Sequence, residues 1–142
     1  MATAKMTTIP DSNVVLDLLT RDPVWFDWSA RQLRRSRERG RVIVNAIIFA
    51  ETSAQFDNWA EYKKTLTRIG IELAELPWAA AHEAGRAHTR YRQSGGTRSR
   101  TLPDFFIGAH AAVEKSRLLT RDPQRYRRYF PDLDIVAPDS HP

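Results

Sequence analysis

The sequence predicts an α/β fold: a single domain whose central parallel sheet of four to five strands is flanked by helices. Three observations carry this reading. Short β-branched or alternating runs recur at residues 41–44, 71–76, 117–120 and 134–136. Between them lie longer segments that open on helix caps and close on glycine or basic turns. Strands that alternate with helices in this way argue a parallel sheet covered on both faces. The 142 residues fit one domain, and 42% hydrophobic with 27% charged residues is enough apolar material for a core.

The elements follow in order. Thr7-Thr8-Ile9-Pro10 is an apolar approach cut short as a strand by Pro10, and Asp11-Ser12-Asn13 caps a helix that begins at Val14-Val15-Leu16. Asp22-Pro23 starts a second helix that stops at Gly40. Its basic last turns, Arg34-Arg35-Ser36-Arg37-Glu38-Arg39, suit the negative end of the helix dipole and read as a solvated face. Arg41-Val42-Ile43-Val44 is a buried strand, Asn45 caps a helix to about residue 56, and another helix covers 59–69 before Gly70. Ile71-Glu72-Leu73-Ala74-Glu75-Leu76 alternates like a strand, and Pro77 opens a long helix to about residue 92. Residues 93–100 form a mobile loop whose glycines lack the Gly-Lys-Ser/Thr ending of a phosphate cradle. A helix over 103–114 and strands over 117–120 and 134–136 complete the chain.

Composition narrows the function. There is no cysteine, which excludes disulfides and thiolate metal sites and suits a reducing cytoplasm. The N-terminal residues have no apolar core of a secretory signal, and the longest apolar stretch, 42–50, falls far short of the ~20 residues of a membrane span. A soluble, cytoplasmic protein is expected. The net charge of +5 rests on eighteen arginines and four lysines. Arginine's planar fork suits phosphate, but GC-rich codon usage enriches it equally, so charge decides nothing alone. Leu-Leu-Thr-Arg-Asp-Pro occurs at 18–23 and again at 118–123 with unmatched flanks, so the six letters carry no function without their place in the fold.

Four acids stand where acids are expensive or where a parallel sheet places ligands. Glu51 follows Ala46-Ile47-Ile48-Phe49-Ala50, and its helical neighbours include Ile47 and Ile48, so its carboxylate is either desolvated or reaches water at the edge of the stripe. Asp104 lies among Leu102, Pro103, Phe105 and Phe106, although an acid in a first helical turn is favoured by the dipole in any protein. Asp11 and Asp122 also serve as caps, yet both directly follow predicted strands, at the carboxyl rim of the sheet. If the sheet is parallel, Glu51 and Asp104 can converge on that rim. Carboxylates within ~4–6 Å repel one another until a cation enters. An oxygen-only donor set calls for Mg²⁺ or Mn²⁺ and not zinc. His82, His88, His110 and His141 have no metal-ligand spacing and read as surface or packing residues.

These residues resemble a family. Pro10-Asp11-Ser12-Asn13-Val14-Val15-Leu16 is similar to the opening motif of PIN domains, Phe49-Ala50-Glu51 to their helical glutamate, and Leu102-Pro103-Asp104-Phe105-Phe106-Ile107-Gly108-Ala109 to their central aspartate motif. Leu119-Thr120-Arg121-Asp122, with Tyr126, Phe130-Pro131 and Ile135-Val136-Ala137-Pro138, resembles the C-terminal signature. The four motifs occur in family order, and the size is similar to that of VapC-type toxins. The resemblance implies an α/β/α nuclease domain over 7–138, with flexible ends at 1–6 and 139–142. It implies that Asp11, Glu51, Asp104 and Asp122 hold Mg²⁺ or Mn²⁺, directly or through water, and that Asn13 and Thr120 orient them. It also implies cleavage of an RNA substrate (tRNA, rRNA or mRNA), a homodimer, and inhibition by a cognate antitoxin protein. Two features depart from the pattern: Pro10 removes a donor beside Asp11, and the 94–100 loop is rich in glycine and arginine.

The expected chemistry is metal-assisted phosphodiester hydrolysis, since no Ser–His or Cys–His nucleophile is legible. Arg98, Arg100, Arg121 and Arg125 are candidates for phosphate contact, with structural salt bridging the competing role for each. Three alternatives stand beside the nuclease. A non-catalytic RNA-binding module would have no use for four acids facing phosphate. A protein-interaction module would present Trp25, Phe26 and Trp28 on a partner surface, where their spacing suits core packing. A phosphatase would need a second aspartate at Asn13.

Overall fold

The computed structural model describes residues 5–96 and 102–142. The elements run β1 (Thr8–Pro10), α1 (Ser12–Thr20), α2 (Phe26–Arg39), β2 (Val42–Val44), α3 (Ala46–Thr52), α4 (Trp59–Arg68), β3 (Ile71–Leu73), α5 (Trp78–Gln93), α6 (Leu102–Val113), β4 (Arg117–Leu119), α7 (Gln124–Tyr129) and β5 (Ile135–Val136). Five parallel strands form one sheet in the order β3-β2-β1-β4-β5. Ile9, Val42, Val44, Leu118 and Leu119 are almost wholly buried in it, as strands covered by helices on both faces require. None of the described helices is long and apolar enough to cross a membrane.

Most elements lie where the sequence puts them. The second helix starts later than Asp22-Pro23 suggests: Asp22 Oδ1 accepts the N–H groups of Val24 and Trp25 in a turn, and α2 begins only at Phe26. The helix expected to reach residue 56 ends at Thr52, and the strand expected over 71–76 is three residues long. The short helix α7 has no counterpart in the sequence reading, because in Gln-Arg-Tyr-Arg-Arg-Tyr only Tyr126 is buried and no apolar period announces a helix. Gly40 ends α2 by necessity, since a Cβ there would stand 2.4 Å from the Met6 carbonyl oxygen.

The apolar core explains two of the three aromatic residues singled out above. Trp28, 6% exposed, packs with Val14, Leu119 and Val136, and Trp25 leans on it edge to face, which places this pair in the core. Trp28 Nε1 also donates to the His141 carbonyl at 2.8 Å, and Arg127 pairs with Asp139, so the last residues are tied to α2 and α7. Asn45 caps α3 by accepting the N–H groups of Ile47 and Ile48, both at 3.0 Å. Its amide donates to Nδ1 of the buried His110 on α6, which fixes that ring as the Nε2–H tautomer and links α3 to α6. Burial without an acid partner lowers the His110 pKa, with the charge of Glu114 opposing the shift.

Candidate functional site

The chain leaves β1 toward β2 and β3 on one side and returns to β4 and β5 on the other, so the carboxyl ends of β1 and β4 flank the switch point where open α/β sheets form a crevice. Asp11 follows β1 directly. Its N–H continues the ladder to the Leu119 carbonyl at 2.8 Å, which seats it over β4. The carboxylate is 5% exposed; Oδ1 accepts the Ser12 N–H and Oδ2 the Thr120 hydroxyl, each at 2.8 Å. Thr120, wholly buried after β4, also accepts the Asp122 N–H at 3.0 Å. Asn13 Nδ2 lies 3.4 Å from Thr120 Oγ1 and 3.5 Å from Asp11 Oδ2, and its Oδ1 accepts the Arg121 N–H at 3.3 Å. Asn13 and Thr120 thereby fasten the β1–α1 and β4–α7 junctions into one unit.

Asp104 enters from the first turn of α6. Gly108, one turn along the same face, lets α7 approach: a Cβ there would meet the Phe130 ring at 2.6 Å. That approach brings two consecutive α7 side chains to Asp104. Arg125 Nη1 pairs with Asp104 Oδ2, and the Tyr126 hydroxyl faces Oδ1 at 3.5 Å. Glu51 closes the other side. It is exposed, so the desolvated position that its apolar neighbours suggested is not what α3 gives it; instead the Ser12 hydroxyl donates to its Oε1 at 2.7 Å. Asp122 is exposed as well.

The electrostatics tie these acids to one neighbourhood. Burial raises the Asp11 carboxyl to about 6; the Thr120 hydroxyl opposes this and the charge of Asp104 adds to it. Burial also raises Asp104, against the pull of Arg125 and with the push of Asp122. Tyr126 is held well above the ordinary phenol range, first by burial and then by the charges of Asp11, Asp104 and Glu51. Among the described residues, however, no three His, Asp or Glu side chains are gathered as tightly as a metal cage requires. Every acid but Asp122 already has a partner: Asp11 has Thr120, Glu51 has Ser12 and Asp104 has Arg125.

Of the arginines expected at phosphate, Arg98 and Arg100 lie outside the described residues. Arg121 is turned to Asp17, whose 2%-exposed side chain it grips through Nε at 2.7 Å and Nη2 at 3.0 Å, with Ser29 donating to the same carboxylate at 2.7 Å. Arg125 reaches Asp104. Sequence reasoning missed Tyr126 as a site residue, Ser12 as the partner of Glu51, and Asp17 as the anchor of the β4–α7 turn. Only Asp17 left a signal: an acid between Val14, Val15 and Leu18 on a nine-residue helix.

A family model for the PIN domain matches residues 8–131. The chain belongs to the PIN-domain family. No curated protein matches this PIN domain by sequence. Among solved structures it is similar to VapBC2 from Rickettsia felis bound to a promoter DNA fragment, at 18% identity, TM-score 0.71, and 93% and 98% coverage of the two chains. DNA-bound VapBC from Salmonella typhimurium matches at 16% identity, TM-score 0.67, and the same coverages. FitAcB from Neisseria gonorrhoeae matches at 18% identity and TM-score 0.64, covering 91% of this chain and 96% of that one. At these identities the likeness to solved structures is one of fold.

Proposed function

We propose that this PIN domain is the toxin of a toxin–antitoxin pair: a Mg²⁺- or Mn²⁺-dependent endoribonuclease of VapC type, cytoplasmic and homodimeric, held in check by a cognate antitoxin. The observation that carries the reading is the approach of Asp11, Glu51, Asp104 and Asp122 to one rim, at the switch point between β1 and β4. Four carboxylates with no histidine or cysteine among them suit a hard divalent cation in donor chemistry. Burial raises both Asp11 and Asp104, and the charge of Asp104 adds to the first as that of Asp122 adds to the second, an electrostatic deficit that such a cation relieves. Asp11, Asp104, Glu51 and Asp122 would hold the ion, directly or through water. When bound, it would supply an acidified water and charge neutralisation at the scissile phosphate.

The chain's own residues prepare that chemistry. Thr120 and Asn13 hold the Asp11 carboxylate in one orientation, and Ser12 holds Glu51. Tyr126 remains a neutral hydrogen-bond donor between Asp11 and Asp104 at any physiological pH, because burial and negative neighbours oppose its ionisation. The antitoxin partner is suggested by the VapBC and FitAcB matches. An apolar groove between α1, α2 and α4, lined by Leu18, Leu19, Phe26, Leu33 and Phe56 and edged by Arg34 and Arg37, offers such a protein a surface.

The test is incubation of the purified chain with tRNA, ribosomal RNA and a messenger transcript, with Mg²⁺, Mn²⁺ or EDTA. Cleavage should need the metal and fall on the order of 10³-fold in Asp11→Asn or Asp104→Asn, the loss of ~4 kcal/mol of transition-state stabilisation. RNA binding that ignores both metal and substitution, with no cleavage, would overturn the nuclease in favour of a binding module.

A further inference from the structure

Arg125 sits in the first turn of α7 and extends back across the mouth of the site to Asp104. Its side chain is 38% exposed and that of Asp104 27%, so the pair lies at the border between crevice and solvent. Among the described residues, no other lysine or arginine is ion-paired with any of the four rim acids. The neighbouring Tyr126 hydroxyl faces the second oxygen of the same carboxylate. Both Asp104 oxygens are therefore engaged by consecutive residues of one short helix.

We propose, resting on the metal-nuclease reading above, that Arg125 is a built-in counter-cation: it neutralises Asp104 in the metal-free protein and must release it for a divalent ion to bind. A guanidinium and a divalent ion compete for this carboxylate: Arg125 holds Oδ2, and a charge of +1 beside one of +2 is repulsive at any dielectric constant a crevice offers. Release is feasible because the pair is partly exposed, and such pairs contribute little to stability. Asp11 has no cationic competitor, since its partners, the Ser12 N–H, the Thr120 hydroxyl and the Asn13 amide, are all neutral. Asp11 and Asp104 would thus be unequal ligands, with Arg125 opposing the ion at Asp104 alone. Affinity for the ion is lower than four acids alone would give, and it depends on a side chain outside the ligand set.

An ordinary structural ion pair would behave in the opposite way. If Arg125 serves only to dock α7 on α6, removing it loosens Asp104, and metal binding weakens or stays unchanged.

The experiment is Mn²⁺ binding to the full chain, followed by the loss of the free-ion electron paramagnetic resonance signal and by calorimetry, in wild type, Arg125→Gln, Arg125→Lys and Asp11→Asn. Arg125→Gln should bind Mn²⁺ roughly two- to fivefold tighter than wild type, the scale of a partly exposed ion pair. Arg125→Lys, which keeps the charge, should bind less tightly than Arg125→Gln and close to wild type, and the gain in the glutamine variant should shrink in high salt as screening removes the competition. Thermal melts show whether each variant is folded. If wild type binds Mn²⁺ and Arg125→Gln binds it no tighter, the counter-cation is overturned and the metal site stands. If wild type and Arg125→Gln both fail to bind, or bind equally well after Asp11→Asn, the metal reading falls and the counter-cation with it.

Discussion

The hexapeptide Leu-Leu-Thr-Arg-Asp-Pro occurs at residues 18–23 and 118–123, and the fold puts the two copies to opposite uses. In the first, Leu18, Leu19 and Thr20 finish α1, and the Thr20 hydroxyl donates to the Leu16 carbonyl in water. Arg21 adopts the left-handed conformation at φ 51°, and Asp22 folds onto the next two free N–H groups. In the second, Leu118 and Leu119 are fully buried strand residues between β1 and β5. Thr120 reaches Asp11, Arg121 grips Asp17, and Asp122 sits close enough to Asp104 to raise its pKa. The second copy also leans on the flanks of the first, since Asp17 precedes it and Trp25, 5.1 Å from the Arg121 guanidinium, follows it. Identical side chains thus become a helix exit in one place and half of a candidate site in the other. Backbone context decides, and it is set by what precedes each copy: a capped helix in one case, the turn that follows the end of α6 at Val113 in the other.

The comparison breaks most visibly at the aspartates. Asp122→Asn should reduce metal-dependent RNA cleavage by ~10²-fold or more, the scale on which a charge-stabilising group at a reacting centre acts. Asp22→Asn keeps the oxygen that accepts the Val24 and Trp25 N–H groups and should leave cleavage within about twofold of wild type. Equal losses in parallel cleavage assays would show that the second copy is structural too.

The arginines come next and are read by stability. Arg121→Ala leaves the buried Asp17 carboxylate with only the Ser29 hydroxyl as a partner, and stranding a buried charge costs about 3–5 kcal/mol. Chemical denaturation should show that loss, and Asp17→Asn in the same chain should restore part of it by removing the stranded charge. Arg21→Gly should instead stabilise by ~0.5–1 kcal/mol, because glycine adopts φ 51° without a Cβ penalty. If Arg121→Ala melts like wild type, Asp17 is not its obligatory partner.

Much of this was legible in the sequence. Strand order could not be read from it, yet β-branched runs and caps located five strands and most helices, and strand ends located Asp11 and Asp122. Asp104 and Glu51 emerged from apolar surroundings, though Glu51 turned out exposed. A residue's neighbours along a helix give its face and not the depth of that face. What remained hidden depends on contacts between distant segments. Tyr126 enters the site because Gly108 lets α7 close on α6, and Arg121 is consumed by an acid 104 positions away. Neither leaves a local signature, because a glycine in a helix and an arginine after a strand have many uses.

The threonines give the smallest and most specific contrast. Burial raises the Asp11 carboxyl to about 6 in the metal-free fold, against 3.8 for an unperturbed aspartate, so folding binds a proton more tightly between those values. Stability from this group is therefore fully present below pH ~4 and lost as pH rises through ~6, a swing on the order of 3 kcal/mol. Thr120→Val removes the hydroxyl that opposes the shift, so the pKa of Asp11 should rise further. Denaturation without metal should show Thr120→Val less stable than wild type by ~1–2 kcal/mol at pH 7, the cost of a lost hydrogen bond to a buried charged group. That deficit should narrow as the pH falls toward 4, where Asp11 is neutral in both proteins. Thr20→Val loses only a solvated hydroxyl and should differ from wild type by no more than ~0.5 kcal/mol at either pH. A Thr120→Val deficit that is constant with pH would mean that the hydroxyl acts through its bonds to the Asp122 N–H and the Asn13 amide and not by holding the Asp11 charge, and the likeness between the two copies would then extend to their third residue.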